Sequence, residues 1–278
     1  MALVCRFASG AVLTVHLGGN NQGGLEDKVW TDTLDGPIRY ISINNLGRVL
    51  AIGHGSEVTL LDQRTLSHWE NIRTLPSPPE FTAGLPAPSP RTLHFTKEDH
   101  LVAVYLDHGI VCWDPSSMTI LWSIAPRSCS IGCSAISPGE KHIIVSNLFD
   151  GLDFYSITDR ALSHSVPCPI NQQKNTLVPV LFNSDGSIII VGGTSGSVRV
   201  LDSSSCETLQ VLSHDGDLIQ AIDSCMTQEG IQIIAAGVSE QGGETTIKVW
   251  TSQPAPEPRL SPPRSFAHES VLVNSAPG

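Results

Sequence analysis

The stretch VLFNSDGSIIIVGGTSGSVRVLD, residues 180–202, is the clearest guide to the fold. Its apolar residues alternate over three short segments, and two glycine-containing turns, Asp185-Gly186 and Thr194-Ser195-Gly196, separate them. Alternation with a period of two, broken by such turns, is typical of antiparallel β-hairpins. The stretch therefore predicts three consecutive strands, the last of which ends at Leu201-Asp202.

The same pattern recurs in residues 42–62, 94–114, 135–156 and 223–251. In every copy the third strand ends on a bulky residue, and His16 holds the same place near the N-terminus. These landmark residues are His16, Leu61, Trp113, Tyr155, Leu201 and Trp250. Intervals of 42 to 52 residues separate them, a period typical of the four-stranded blades of a β-propeller. A helical solenoid would need segments with a 3.6-residue period, and the sequence shows none. We expect Trp113, Tyr155 and Trp250 to pack between blades.

The units resemble WD40 repeats in the turn sequence FNSDG and in third strands that end in CWD, VLD or KVW. Only Trp113-Asp114 has the Trp-Asp pair after which the family is named. His214 in SHDGD is the residue most similar to the histidine of the family's Gly-His pair. No unit carries the full hydrogen-bonded set of Asp, His, Ser and Trp, so we expect blade stability to depend mainly on apolar burial. The resemblance implies a propeller that presents loops around a channel mouth to other proteins.

We predict one all-β domain over residues 1–278, a six-bladed propeller of four-stranded antiparallel blades. Residues 1–17 and the segment EDKVWTDTLDG supply three strands of the closing blade, and SVLVNSAPG near the C-terminus supplies its first strand. Pairing the termini would remove exposed strand edges. The alternative is that the chain is a fragment of a longer protein, such as a seven-bladed propeller.

Composition restricts the class of partner. Asp and Glu number 27 and Lys and Arg 16, giving a formal net charge of −11, whereas a nucleic-acid partner requires a basic face. No run of 18 apolar residues is present, so we expect no membrane insertion. Seven cysteines without framework spacing predict reduced thiols and a cytoplasmic protein, with the nucleus as the alternative.

Recognition is expected in the loops, because loops carry binding residues while strands carry packing. The candidate partner-binding residues, all in loops predicted to share one face, are His54, Asp107, His108, Phe149, Asp150, Thr194, His214, Asp215 and Glu240. The acidic members favour a basic peptide segment as partner, or they only solvate turns. Phe149 is either a binding anchor or a packing residue.

Two Pro-rich segments interrupt the pattern, an insert between blades at residues 76–90 and a loop at residues 254–264. Each contains Ser-Pro or Pro-x-Pro sequences of the kind that serve as polyproline ligands or phosphorylation sites. The simpler interpretation, which we prefer for both segments, is a connecting loop between blades.

Motifs for catalysis are lacking. GGTSGS has no phosphate-loop lysine, neither G-x-S-x-G nor H-E-x-x-H occurs, and the ten histidines have no ligand spacing. We therefore predict no catalytic residue, no metal and no cofactor, and a monomeric, non-catalytic interaction scaffold within a larger complex. The alternatives are a substrate-recognition subunit of a ubiquitin ligase and a hydrolase or lactonase with a metal at the channel mouth. In the last case His54, His108, Asp150 and Asp215 would supply ligands.

Overall fold

The computed structural model describes residues 2–6, 9–16, 28–65, 68–127, 130–168, 177–214, 218–239, 245–252 and 266–268. Within these ranges the secondary structure consists of 23 β-strands. No helix of the length and apolar character needed to cross a membrane occurs in the described ranges. The chain divides into two compact units, residues 1–131 and 132–278.

The first unit contains one three-stranded sheet followed by two four-stranded sheets. The three-stranded sheet has the order β1 (Ala2–Arg6), β2 (Ala11–His16), β3 (Lys28–Thr33). The first four-stranded sheet consists of β4 (Ile38–Ile43), β5 (Val49–His54), β6 (Glu57–Thr65) and β7 (His68–Thr74). The second consists of β8 (Pro90–Phe95), β9 (Leu101–Tyr105), β10 (Gly109–Asp114) and β11 (Thr119–Ile124).

The second unit contains three four-stranded sheets. The first consists of β12 (Ile131–Ile136), which starts at the boundary, β13 (His142–Asn147), β14 (Gly151–Ser156) and β15 (Ala161–Pro167). The next consists of β16 (Val180–Phe182), β17 (Ile188–Gly192), β18 (Ser197–Asp202) and β19 (Thr208–Ser213). The last consists of β20 (Ala221–Met226), β21 (Gln232–Ser239), β22 (Thr245–Ser252) and β23 (Phe266–His268). All neighbouring strands pair antiparallel in sequence order, which is the arrangement of propeller blades.

One kind of turn joins the first and second strands of all five four-stranded sheets. The residue that opens it has a side-chain oxygen: Asn44, Thr96, Ser137, Asn183 or Thr227. Its carbonyl accepts the N–H three residues later at 2.7 to 3.0 Å. Its side chain accepts an N–H four or five residues later at 2.8 to 3.2 Å. These side chains replace the backbone hydrogen bonds between the first and second strands that the turn interrupts. They therefore define where each second strand begins.

The landmark residues lie in the core. Leu61, Trp113, Tyr155, Leu201 and Trp250 are all buried, which confirms the expected packing role of Trp113, Tyr155 and Trp250. At four of them, Leu61, Trp113, Tyr155 and Leu201, the register between third and fourth strands shifts. Such a bulge bends the strand and strengthens its twist.

Apolar layers fill the space between consecutive blades within each unit. In the first unit, Leu60 of β6 packs in one cluster with Leu93 of β8 and Trp113 of β10. In the second unit, Phe154 of β14 packs with Leu201 of β18. The opposite face of β18 joins the last blade, where Val200 packs with Trp250. Both faces of a blade are therefore apolar in its inner strands.

The predicted number of six blades is wrong, because the described residues form five four-stranded blades. The sixth sheet holds three strands, β1 to β3, where residues 1–17 and EDKVWTDTLDG had been expected to form three strands. Gly10, just before β2, has a positive φ of 88°. Gly109, at the start of the third strand β10, also has a positive φ, 73°, so β2 corresponds to the third strand of a blade. The predicted closing strand falls on residues 269–278, which lie outside the described residues, as does the Pro-rich loop at residues 254–264.

The Pro-rich insert at residues 76–90 lies between β7 and β8 and contains no strand before Pro90. Leu75, just before the insert, and Pro78 within it are buried, whereas Phe81 is exposed. The insert is therefore attached to the first unit by a few apolar side chains.

Candidate functional site

Two sets of loops meet at one end of the second unit. The carbonyl of Asp150, in the loop between β13 and β14, accepts the N–H of Cys168, which follows β15, at 3.0 Å. In the next blade the carbonyl of Gly196 accepts the N–H of His214 at 2.6 Å, and that of Gly193 accepts the N–H of Ile219 at 3.0 Å. We call this region, formed by residues 148–150, 168, 193–196, 214 and 218–219, the loop end of the second unit.

The loop between β13 and β14 presents an aromatic side chain on a rigid backbone. Phe149 is 65% exposed, whereas Asn147 at the base of the loop is buried. The Asn147 Oδ1 accepts the N–H groups of Phe149, Asp150 and Gly151 at 3.1, 2.8 and 3.0 Å. Its Nδ2 donates to the Asp150 carboxylate at 2.8 Å. One buried amide therefore fixes the whole loop, and Phe149 projects from it.

A small cavity of about 30 Å³ lies beside this loop, between the second and third strands of one blade and the second and third strands of the next. Its lining includes Gly151, Cys168, Gly193, Ser195, Ser197 and Arg199. Burial raises the pKa of the Cys168 thiol, and the positive charge of Arg199 opposes that rise without cancelling it. Cys168 is therefore a neutral thiol at neutral pH and not an activated nucleophile.

Three of the predicted partner-binding residues lie in the first unit. His54 is buried, and its Nδ1 lies 2.8 Å from the Asp35 carbonyl while its Nε2 lies 2.9 Å from the Thr59 hydroxyl. His108 is also buried, with its ring edge-on to Tyr105 at a centroid distance of 6.4 Å. Asp107 is half-buried. The structure thus places both histidines in packing positions.

The other predicted residues belong to the second unit. Thr194 and His214 are buried, and the His214 ring lies 3.2 Å from the Ala236 carbonyl and edge-on to Trp250. Phe149 and Asp150 are exposed and adjacent. Asp215 and Glu240 lie outside the described residues. Of the predicted set, only Phe149 and Asp150 are therefore seen together on an open surface of this unit.

Sequence reasoning missed Arg199 and Ser197. Arg199 precedes the landmark Leu201 by two residues, the place that Val111 holds in β10. The equivalent positions of the other blades hold Thr59, Asp153 and Lys248, so a charged residue there did not single out Arg199. Ser197 gave no signal either, because serine is common in turns.

The described residues include no group of three or more His, Cys, Asp or Glu side chains placed to hold a metal ion. The prediction that the protein needs no metal or cofactor remains a prediction. Comparison with protein-family models and with curated proteins finds no match to the chain. The fold is assigned from the structure alone, which shows a β-propeller arrangement of repeated blades.

Proposed function

We propose that this protein is a non-catalytic interaction scaffold, a WD40-like propeller that binds partner proteins or peptides through the loop end of its second unit. The observation that carries the proposal is Phe149, a large aromatic side chain 65% exposed on a loop that a buried amide holds in place. Exposing an aromatic ring to water is unfavourable, and aromatic residues dominate the binding energy of protein interfaces.

The rigidity of the loop strengthens the argument. A partner that binds a flexible loop must order it, and each side chain immobilised on binding costs roughly 0.5–1.5 kcal/mol. The bonds from Asn147 already restrict the backbone of residues 149–151 before a partner arrives. Phe149 is thus preorganised as an anchor.

At this site we propose an acidic partner segment in place of the basic one that the sequence favoured. The prediction of a basic segment depended on Asp107, Asp150, Asp215 and Glu240. In the second unit Asp150 accepts a hydrogen bond from Asn147, while the nearby cavity contains the cation Arg199. An apolar partner segment with an acidic residue matches these two features better than a basic one.

Other features support an interaction protein in a reducing compartment. The five described cysteines, Cys112, Cys133, Cys168, Cys206 and Cys225, form no disulfide bonds, in keeping with the cytoplasm or nucleus. We propose a monomeric chain that acts within a larger complex. A substrate-recognition subunit of a ubiquitin ligase is one member of this class.

The test is selection of peptides from a displayed random library on the immobilised protein, followed by affinity measurement on three purified chains. The chains are wild type, Phe149→Ser and the matched control Leu46→Ser. Leu46 is 69% exposed on a turn of the first unit, so its replacement removes a similar apolar area elsewhere.

We expect the Phe149→Ser chain to bind the selected peptides at least about tenfold more weakly, as for interface hot spots. The Leu46→Ser chain should bind them like wild type. Peptides that bind all three chains equally would contradict the proposal.

A further inference from the structure

The cavity beside Phe149 is lined on one side by a charged side chain. Along β18, Val198 and Val200 face the last blade of the second unit and pack in its apolar cluster. Strand side chains alternate between faces, so Arg199 lies on the face of Leu201, toward β14 and β15. Leu201 packs there with Phe154. Arg199 is half-buried, and it lines the cavity together with Gly151 and Cys168 from the neighbouring blade.

The positive charge in this cavity is not balanced by the part of the chain that the structure describes. None of the ion pairs found among these residues involves Arg199. Ser195 and Ser197, each with a hydroxyl group, line the same cavity. A guanidinium and two hydroxyls are hydrogen-bond donors suited to an anion.

The cavity is small, about 30 Å³, so it has room for the charged end of a ligand and not for a whole side chain. A carboxylate presents two oxygens in one plane, and a guanidinium binds both in a forked geometry.

We propose that the cavity binds one carboxylate of a partner peptide, with Arg199 as its charge partner and Ser195 and Ser197 as additional donors. This inference rests on the proposed function, because the peptide is the partner that Phe149 anchors. Phe149 precedes the cavity residue Gly151 by two positions, so their Cα atoms are at most about 7 Å apart. The partner segment therefore carries an Asp, a Glu or a C-terminal carboxylate within a few residues of an apolar side chain.

The test uses a small probe, N-acetyl-glutamate N-methylamide, titrated into the ¹⁵N-labelled full chain and followed by NMR. We expect the probe to shift the Nε–Hε signal of Arg199 and the backbone amides of Gly193 and Ser195, and the shifts to saturate at millimolar concentration. The glutamine analogue has the same shape without the charge, and it should leave these signals unchanged. Inorganic phosphate at equal concentration should shift them less than the carboxylate does.

The matched variants are Arg199→Gln and Arg160→Gln. Arg160 is exposed in the turn between β14 and β15 of the same unit, so its loss changes the net charge equally without touching the cavity. For Arg199→Gln we expect about tenfold weaker probe binding, and no change for Arg160→Gln. If Arg199→Gln fails to fold, Arg199→Lys replaces it. Lysine keeps the charge but loses the fork, so it should bind the probe more weakly than wild type.

Three results would overturn the carboxylate site: shifts of equal size with the glutamine analogue, stronger shifts with phosphate, or unchanged probe binding to the Arg199 variant. If the probe leaves Arg199 unaffected while selected peptides still depend on Phe149, the carboxylate site fails and the proposed function stands. If the probe binds but no peptide depends on Phe149, the proposed function and the peptide assignment both fail.

Discussion

At the scale of single residues, buried polar side chains and glycines determine the shape of the loop end of the second unit. Asn147 supplies the acceptor for three successive N–H groups, a task that a short amide or carboxylate performs in turns. Gly151 follows with φ of 151°, and a Cβ on it would collide with the Val166 carbonyl and the Cys168 N–H nitrogen. The strand and the loop can approach this closely only because residue 151 is glycine.

Gly151→Ala should lower the free energy of unfolding by about 2–3 kcal/mol, because it adds steric overlap to an unfavourable backbone conformation. Gly230→Ala is the matched control. Its φ is also positive, 76°, but a Cβ there meets nothing within 4 Å, so we expect a loss of about 1 kcal/mol. Urea denaturation of both chains measures the difference. Equal losses would show that the collision at Gly151 is relieved by movement of the backbone.

At the residue scale the sequence identified Phe149 because a large aromatic in a turn is conspicuous. It did not reveal the burial of His54, His108, Thr194 and His214. Polar side chains in short turns are usually solvated, but those of His54 and His214 lie within hydrogen-bonding distance of the backbone carbonyls of Asp35 and Ala236. Such pairing depends on residues about 20 positions away, and local sequence pattern does not report it.

At the scale of strands and hairpins, the same local solutions recur from blade to blade. The turns between third and fourth strands at Asp114 and Asp202 show this well. In the Asp202 turn, one carboxylate oxygen accepts the hydroxyl and N–H of Ser204 at 2.6 and 2.9 Å and the N–H of Ser205 at 2.8 Å. In the Asp114 turn the carboxylate accepts the Ser117 hydroxyl at 2.7 Å and the Ser116 N–H at 2.8 Å. Each carboxylate caps its hairpin in the ionised form.

The hydrogen bond from the Ser204 hydroxyl, followed by those from the N–H groups of Ser205 and Ser204, lowers the pKa of Asp202 to about 2. The unfolded chain has the ordinary value near 3.9. Ionised Asp202 thus favours the folded state above about pH 4, and that contribution is lost as the pH falls from about 4 through 2. Asp202→Asn should be less stable than wild type at pH 7, and the gap should narrow between pH 4 and 2.

Urea denaturation at a series of pH values measures this gap. Asp114→Asn is the companion variant, since the hydroxyl of Ser117 and the N–H of Ser116 also lower the pKa of Asp114. A difference between wild type and Asp202→Asn that stays constant down to pH 2 would contradict the capping role.

The strands and turns could be predicted because alternation and turn residues are local properties of the sequence. The residue that caps the turn between the first and second strands is Asn183 in the sequence FNSDG. The equivalent capping residues of the other blades were not recognised from the sequence: Asn44, Thr96, Ser137 and Thr227. The cavity could not be predicted, because Arg199 and Cys168 come from different blades. Their approach depends on how two sheets pack.

At the scale of the whole molecule, the repeat predicts the class of fold more securely than the number of blades. Each unit stacks its blades through apolar layers, such as the one that joins Leu60 to Trp113 and the one that joins Phe154 to Leu201. The count of six required a pairing between the two ends of the sequence, and no local pattern specifies a pairing across that separation. Five complete blades and one three-stranded sheet are what the described residues form.

The free thiols provide a prediction for the intact chain. Cys112 is buried in β10, whereas Cys225 is exposed in β20. Iodoacetamide should therefore modify Cys225 in the native protein and Cys112 only after unfolding. Mass spectrometry of labelled peptides measures both. Labelling of Cys112 as fast as Cys225 would mean that the blade packing of the first unit opens readily.

The central claim is that partners bind at the loop end of the second unit, and amide hydrogen exchange with and without a selected peptide tests it most directly. The account predicts slower exchange at residues 147–151 and 193–199 on peptide binding. It predicts no change at residues 44–47, where the exposed Leu46 lies. Protection of residues 44–47, or of neither segment, would contradict the account.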